Sequence, residues 1–334
     1  MVGLCGHTIS QNIASLVHCG TLSYQNWVEF PDMRLYEELS THNAFGSMIE
    51  SLNRPSAEDA VRLLRSHFLG YSGDVTLFGY EEQRLADFLT SEGVLFKPER
   101  VSPTYHMTSA LVDGLLCRTT LVNLFPNAPQ ITPPLDGSRQ KLDFLRALKE
   151  SLKCFDKEYI RLAAWRSHKL SKAVKVDGSR NAQVPRESVY VTELMRILSN
   201  WLQRHHGWTV TGQWHKNPFR VGEHEYTDIV LQKEGNPTIV LKLLATGDEV
   251  FVNSHINKTP EYMDFLRAQN AWIIHFTRED HYVPVWQSED MLNKGVNLVH
   301  IWHNWEFTDV QMMANCKESS GITHLDTHWQ MISL

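Results

Sequence analysis

The sequence lacks several patterns that would assign a protein class at once. Its five cysteines are scattered, odd in number and never in a CxxC pair. That argues against a disulfide framework or a zinc knuckle and favours a reducing compartment. No apolar run approaches the roughly 18 residues of a membrane-spanning helix. The first residues, MVGLCGHTISQNIASLV, have no basic segment before an apolar one, so we expect no secretory signal and an intracellular protein.

A strong overall charge of one sign is also missing. The 32 lysines and arginines stand against 38 aspartates and glutamates, which gives a net charge of −6. Any nucleic-acid-binding surface must therefore be local. The motif GxxxxGK is absent, which predicts that there is no P-loop ATP site. The 334 residues are 42% hydrophobic and long enough for two ordinary domains.

The first half of the chain, residues 1–155, has helical periodicity interrupted by one hairpin. Apolar spacing and turn residues predict helices over 57–70, 80–92, 109–124 and 139–155, and a hairpin with strands 94–97 and 105–108. Two helices followed by a β-wing are typical of a winged-helix module. We therefore expect a helical, winged-helix-like N-terminal region.

A basic stretch follows at residues 161–186, with Asp177 as its single acid. Its lysines and arginines could neutralise phosphates without reading a base sequence. The alternative is a solvated helix and linker, and we place a domain junction at 156–184. The candidate nucleic-acid contacts here are Lys169, Lys172, Lys175, Arg180 and Arg186.

The pattern changes again in residues 185–310. A helix over 188–206, with Ser188 as its cap, precedes strand patterns at 208–215, 226–232, 238–244, 271–277 and 296–302. Thr259 and Pro260 predict the start of another helix after the third strand. The order α-β-β-β-α-β predicts an α/β domain with a central mixed sheet, so the whole chain is α+β. Residues 311–334 are predicted to be a C-terminal tail.

Three charged residues in this part could carry chemistry. Asp228 is on the second predicted strand, Lys242 is in the most apolar strand, and Glu193 is on the preceding helix. Mg²⁺ prefers carboxylate oxygens, and a lysine beside it can stabilise developing charge on a phosphate. The alternative for Asp228 and Glu193 is an ordinary exposed position. Lysine is rarely buried without a partner, so Lys242 indicates a buried carboxylate or a site.

The histidines offer a zinc alternative. The adjacent His205 and His206 would diverge on a helix, and His300 and His303 would face opposite sides of a strand. No third ligand has zinc spacing, so we do not expect a zinc site. His275, in a buried strand, is more typical of a core histidine.

Residues 184–303 contain a series of motifs in a characteristic order: VPRESVYVTELMRILSNWLQ, GWTVTGQWH, YTDIVLQKEGNPTIVLKLLATGD, NSHINKTPEYMDFL and AWIIHFT. This series resembles the C-terminal domain of Crinkler proteins, which has a PD-(D/E)XK, restriction-endonuclease-like fold. The stretch 45–160 is similar to the winged-helix end of the P-loop ATPase that precedes this domain in longer relatives. The resemblance implies effector-like action in a nucleus.

The resemblance implies a metal site of Glu193, Asp228 and a glutamate on the third strand. Relatives read LELLxxGD there, and this chain reads LKLLATGD, so Lys242 takes the glutamate position. In a second registration Lys242 is the motif lysine and Val240 replaces the glutamate. One acidic ligand is missing in either case. His255 matches the pattern downstream and is a candidate phosphate contact.

These observations lead to a hypothesis with two alternatives. We expect a nucleic-acid-binding protein, with DNA preferred over RNA, whose Mg²⁺-dependent phosphodiester hydrolysis is lost or weakened. Lys242 would then pair with Asp228 and Glu193 in place of the metal. The alternatives are an active Mg²⁺-dependent DNase and a non-enzymatic module that contacts a protein partner. Whether the chain is an enzyme therefore depends on Lys242.

Overall fold

A computed structural model of the chain describes residues 36–71, 73–98, 102–137, 141–215, 226–317 and 323–334, and the strand residues 17–18 and 21–22. It is a mixed α+β structure with one large mixed sheet. The α-helices of five or more described residues are α1 Tyr36–Thr41, α2 Asn43–Leu52, α3 Glu58–His67, α4 Tyr80–Ser91, α5 Ala110–Arg118, α6 Thr120–Leu124, α7 Phe144–Leu152, α8 Lys157–Arg166, α9 Glu187–Leu198, α10 Glu249–Leu266 and α11 Glu289–Asn293. A short 3-10 helix precedes α3 at Pro55–Ala57, and α9 continues as a π-helical segment, Ser199–Gln203, and a last helical turn, Arg204–His206.

The strands form one large sheet and three small ones. In chain order they are β1 Val17–His18, β2 Thr21–Leu22, β3 Val75–Thr76, β4 Leu95–Phe96, β5 Thr104–Met107, β6 His168–Leu170, β7 Gln183–Pro185, β8 Thr209–His215, β9 Tyr226–Gln232, β10 Ile239–Leu244, β11 Asn270–Thr277, β12 Val296–His303, β13 Val310–Lys317, β14 Thr323–Leu325 and β15 Gln330–Met331. The large sheet has the order β14-β13-β12-β11-β10-β9-β8, with β15 also paired to β13. Strands β10, β11 and β12 are parallel, and the other neighbours are antiparallel.

Helices cover both faces of this sheet, and β10 is one of its interior strands, between β9 and β11. All six residues of β10 are buried, as its apolar run predicts. Side chains alternate between faces along a strand. Leu241 and Leu243 therefore join the core formed with α7 and α9, whereas Val240 and Leu244 join the core beneath α10.

The N-terminal helices and the three-stranded sheet β3-β5-β4 share a separate hydrophobic core. The predicted helices at 57–70 and 80–92 are confirmed as α3 and α4, and the predicted hairpin is confirmed as β4 and β5. The prediction over 109–124 is realised as two shorter helices, α5 and α6. This part of the chain is attached through contacts of α3 with α8 and of α9 with α5 and α6.

Several predicted helix ends differ from those observed. Helix α7 begins at Phe144 rather than at 139, because the Asp143 carboxylate accepts a hydrogen bond from Arg146 N; residues 138–140 lie outside the described residues. Helix α9 begins at Glu187, so Ser188 is not its cap. The prediction that this helical segment ends at Gly207 is confirmed by the left-handed φ of 68° there.

Helix α10 begins eleven residues earlier than predicted, at Glu249 rather than at Pro260. Its N-cap is Asp248, whose carboxylate accepts a hydrogen bond from Phe251 N at 2.9 Å. Pro260 lies inside the helix rather than at its first position, and the Thr259 hydroxyl donates to the carbonyl of His255. Burial of Val252 and other apolar residues of this helix offsets the disruption that proline causes.

The predicted junction and tail are parts of the folded structure. Residues 156–184 contain α8 and most of a β6–β7 hairpin. The backbone N–H groups of Asp177 and Gly178, at the hairpin tip, donate to the Asp280 carboxylate at 2.9 and 2.7 Å. The predicted tail, 311–334, contains nearly all of β13, which pairs with β12 along six residues. The boundary at 310 therefore falls inside the sheet.

Candidate functional site

Lys242 and Asp228 are direct neighbours on antiparallel strands. The register pairs Leu241 of β10 with Ile229 of β9, so the next residues, Lys242 and Asp228, lie side by side. The Lys242 ammonium is 3.2 Å from Asp228 Oδ2 and 3.4 Å from Oδ1. Asp228 Oδ2 also accepts a hydrogen bond from Leu243 N at 2.6 Å. Two of the three residues that the sequence singles out are thus brought together.

The second carboxylate beside Lys242 comes from Glu187, which sequence reasoning missed. Its Oε1 is 3.1 Å from the Lys242 ammonium, and its side chain is 25% exposed. Glu187 occupies the first position of α9, where a carboxylate is also favoured by the helix dipole. The only sequence signal for it is an acidic residue at a helix start, which is common and does not identify a site.

Burial controls the electrostatics of this group. Asp228 is 1% exposed and Lys242 is 7% exposed. Burial raises the pKa of Asp228, while the positive charge of Lys242 and the Leu243 N–H oppose that shift. The ion pair stabilises the lysine, which would otherwise be a buried charge without compensation. The sequence-based expectation that Lys242 has a buried carboxylate partner is met by Asp228.

Glu193 is not part of this group, which corrects its predicted role as a metal ligand. Its Oε1 accepts from Asp156 N and Arg196 Nη2, and its Oε2 accepts from Arg65 Nη2 and Arg196 Nε, at 2.5 to 3.1 Å. Burial raises the pKa of Glu193, but the charges of Arg65 and Arg196 outweigh burial and lower it to about 2. Four donors use the acceptor capacity of this carboxylate. Glu193 is therefore a structural ion-pair residue.

Lys169 and His255 flank the group from two other elements. The Lys169 ammonium lies 3.4 Å from the carbonyl oxygen of Ala245, just after β10, and 5.1 Å from the Phe251 ring centre. His255, on α10, lies 4.6 Å from the same ring. Burial lowers the pKa values of both Lys169 and His255. Their positive charge is thus less favoured here than in water.

The bonding of His255 limits its role as a phosphate contact. Its Nδ1 lies 2.9 Å from the carbonyl oxygen of Phe251, which can only accept, so Nδ1 carries the proton. In the neutral ring, Nε2 is then an acceptor. Only the protonated ring can donate to a phosphate from Nε2.

The other predicted nucleic-acid contacts divide into two kinds. Lys172, Lys175 and Arg180 are exposed on the β6–β7 hairpin. Arg186 instead donates to the carbonyl of His168 at 2.6 Å, and its guanidinium lies 3.9 Å from the ring centre of Tyr71. Arg186 is therefore a packing residue, and the exposed basic surface is smaller than the sequence suggests.

Two buried histidines lie on the neighbouring strands β11 and β12, at a register position two residues beyond that of Lys242. His275 of β11 pairs in register with His300 of β12, and their Nδ1 atoms are 3.1 Å apart. His300 Nε2 donates to the Val285 carbonyl, so its Nδ1 accepts from His275 or from the Tyr282 hydroxyl. Burial lowers the pKa of His300 to about 4, which keeps the ring neutral at pH 7.

The magnesium ion implied by the resemblance does not fit this arrangement. The Lys242 ammonium stands between the carboxylates of Asp228 and Glu187, in contact with both. A magnesium ion bound by these carboxylates would occupy the same position as the Lys242 ammonium, and the two positive charges would repel each other. Among the described residues, no group of three or more His, Cys, Asp or Glu side chains is arranged to hold a metal ion.

The helices of the described residues include none that is both long enough and apolar enough to cross a membrane.

In comparisons with known proteins, no family model and no curated protein matches this chain.

Proposed function

We propose that this chain is a Crinkler-like protein that binds nucleic acid, with DNA preferred over RNA, through a nuclease-type domain whose hydrolytic activity is lost or strongly weakened. The observation that carries the proposal is the position of the Lys242 ammonium. It lies 3.1 Å from Glu187 Oε1 and 3.2 Å from Asp228 Oδ2, where a nuclease of this type would need its metal. Lys242 neutralises both carboxylates without providing a Lewis acid.

The order of elements supports a PD-(D/E)XK assignment. Helix α9 is followed by β8, β9 and β10, then by α10 and β11, which is the α-β-β-β-α-β order. The charged group is assembled from α9, β9 and β10, the same elements that the sequence resemblance implicates. Glu187 takes the part that the resemblance gave to Glu193. Helices α3 and α4 with the sheet β3-β5-β4 likewise support a winged-helix-like module in the N-terminal half.

Electrostatic repulsion explains why catalysis would be weakened. At about 4 Å and an effective dielectric near 20, a pair of unit charges repels by roughly 4 kcal/mol, and a divalent ion doubles that. A magnesium ion would therefore have to displace the Lys242 ammonium from Asp228. Binding of nucleic acid needs no metal, because the exposed Lys172, Lys175 and Arg180 can neutralise phosphates.

Binding is tested by fluorescence anisotropy with a labelled 20-base-pair DNA duplex over a range of salt concentrations. The triple variant Lys172→Gln, Lys175→Gln, Arg180→Gln should bind more weakly, and its slope of log K against log salt should be smaller by about 2 to 3. The matched control is Arg54→Gln, Lys153→Gln, Lys294→Gln, which removes three surface charges that pair locally. Absence of binding by the parent chain at low salt, or equal slopes, contradicts the proposal.

Hydrolysis is tested with plasmid DNA and Mg²⁺ or Mn²⁺. We expect no cleavage by the parent chain and measurable metal binding by Lys242→Glu in calorimetry. Parent cleavage that disappears in Asp228→Ala would instead show an active nuclease. A folded Lys242→Glu variant that binds no metal would remove the support for nuclease ancestry.

A protein-interaction module is the second candidate. Phe78 and Tyr80, at the start of α4, are 88% and 78% exposed, so two aromatic rings two residues apart are available to a partner. Failure of both DNA binding and metal binding in the experiments above would favour this function.

A further inference from the structure

A cavity of about 670 Å³ lies at the end of the large sheet opposite the Lys242 group. It is bounded by α7 and by Ile239 and Asn270, the first residues of β10 and β11. Lys242 and His275 lie further along the same two strands. The volume is within the range of small-molecule sites. The cavity is therefore separate from the group that carries the proposed function.

One wall of the cavity is aromatic. Phe144 of α7 and Trp272 of β11 both line it, and their ring centres are 5.1 Å apart. Both side chains are buried in the core, so their positions are fixed by packing. The Trp272 indole N–H makes no hydrogen bond to any residue that the structure describes. A ligand with a flat apolar body and a hydrogen-bond acceptor would suit this wall.

Among the described residues, the lining of the cavity contains more basic than acidic side chains. Lys149 Nζ donates to the amide oxygen of Gln330, and Lys317 Nζ donates to that of Asn293, both at 2.9 Å. These partners are neutral. The Asp143 carboxylate in the lining is engaged as the cap of α7. Of the lining residues that the structure describes, the charged ones are the cations Lys141, Arg146, Lys149 and Lys317 and the acids Asp136 and Asp143.

We propose that this cavity binds a small aromatic anion. The aromatic body would lie against Phe144 and Trp272, and its negative group would accept hydrogen bonds from Lys149 and Lys317. A charged acceptor makes stronger hydrogen bonds with lysine than the amides of Gln330 and Asn293 do, so exchange of partners is favourable. The excess of positive charge among the described lining residues contrasts with the net −6 of the chain and favours anions over neutral ligands.

Two aromatic anions and their uncharged counterparts test the proposal by calorimetry on the full chain. Adenosine monophosphate is compared with adenosine, and 2-naphthoate with 2-naphthylmethanol. We expect at least one anion to bind, and its uncharged counterpart to bind about tenfold more weakly or not at all. Which anion binds distinguishes a nucleotide site from a site for aromatic carboxylates.

Variants that remove positive charges from the cavity provide a second test of the proposal. The variant Lys149→Gln, Lys317→Gln should bind the anion about tenfold more weakly at low salt. The control variant Lys153→Gln, Lys294→Gln, whose lysines pair with Glu150 and Asp290, should bind it as the parent does. Arg146→Gln, at a side chain that is 69% exposed, is a milder variant with the same expected direction should the double variant not fold.

Three results would overturn the proposal. The first is that neither anion binds at concentrations up to about 1 mM. The second is that each anion binds no better than its uncharged counterpart. The third is that folded charge-removal variants bind the anion with the affinity of the parent.

Discussion

Arg65 of α3 and Glu193 of α9 form a buried ion pair between residues 128 positions apart in the chain. Arg65 Nη2 is 2.5 Å from Glu193 Oε2, and the two side chains are 3% and 0% exposed. The same guanidinium also contacts the Asp156 carboxylate at 2.8 Å. The N-terminal helices are thus connected to the large sheet through a charged network as well as through apolar packing.

Removal of the Glu193 charge should destabilise the protein in a pH-dependent way. The pKa of this carboxyl falls from 4.5 to about 2 on folding, because Arg65 and Arg196 outweigh burial. A lowered acid pKa stabilises the fold above the unfolded pKa, and that stability is lost as the pH falls from about 4.5 toward 2. The difference amounts to about 3 kcal/mol.

Urea denaturation at pH 7 and pH 3 measures this effect. We expect Glu193→Gln to unfold about 3 kcal/mol more easily at pH 7, with a smaller difference from the parent at pH 3. Glu158→Gln is the control, because its carboxylate is exposed and pairs with the nearby Arg161. A change of less than about 1 kcal/mol in Glu193→Gln would show that the network does not stabilise the fold.

The Lys242–Asp228 pair should show strong coupling in a double-mutant cycle. Lys242→Met removes the cation that pairs with the buried Asp228 carboxylate, and Asp228→Asn removes one of the two carboxylates beside the lysine. The double variant removes both charges, so it should be less destabilised than the sum of the two single variants. We expect a coupling of about 2 kcal/mol in urea denaturation. Additivity within about 0.5 kcal/mol would contradict a direct pair.

The side chain of His255 should contribute to nucleic-acid binding only at acidic pH. Burial lowers its pKa, and its Nδ1–H is used by the Phe251 carbonyl, so Nε2 can donate only when the ring is protonated. In anisotropy titrations, His255→Gln should match the parent at pH 7.5 and bind about threefold more weakly at pH 5. Equal loss at both pH values would mean that the neutral ring has another role.

Asp280 should hold the tip of the β6–β7 hairpin in place. Its carboxylate accepts the backbone N–H groups of Asp177 and Gly178, and both of these residues have left-handed backbone conformations. In Asp280→Ala, the amide hydrogens of these two residues should exchange about tenfold faster with solvent. Asp290→Ala, at an exposed residue that pairs with Lys294, should leave the exchange unchanged. Unchanged exchange in Asp280→Ala would show that the strands alone hold the tip.

The central strands could be predicted because each is a local apolar pattern. The run IVLKLL gives β10 directly, since a strand buried on both faces needs no alternation. The start of α10 could not be predicted in the same way. Residues 249–258 have weak helical periodicity, and Thr259 followed by Pro260 is typical of a helix start. Tertiary burial of Val252 and Ile256 decides the outcome.

The site was only half predictable because its members depend on distant partners. Lys242 in an apolar strand indicates a buried partner, and Asp228 on the neighbouring strand is a natural candidate. The sequence does not show which glutamate of α9 contacts Lys242, since Glu187 and Glu193 are both acids on this helix. What separates them is Arg65, far away in the sequence, whose position depends on how α3 packs. No local pattern encodes that contact.

The position of β13 has a consequence for behaviour outside the native state. Seven of the eight residues of β12 are buried, and six of the eight pair with β13. Loss of β13 would turn β12 into a long apolar edge strand, which can pair with the same strand of another molecule. The short β14 and β15 expose less unpaired backbone than β12 would. Strand β13 thus protects β12 against pairing with strands of other molecules.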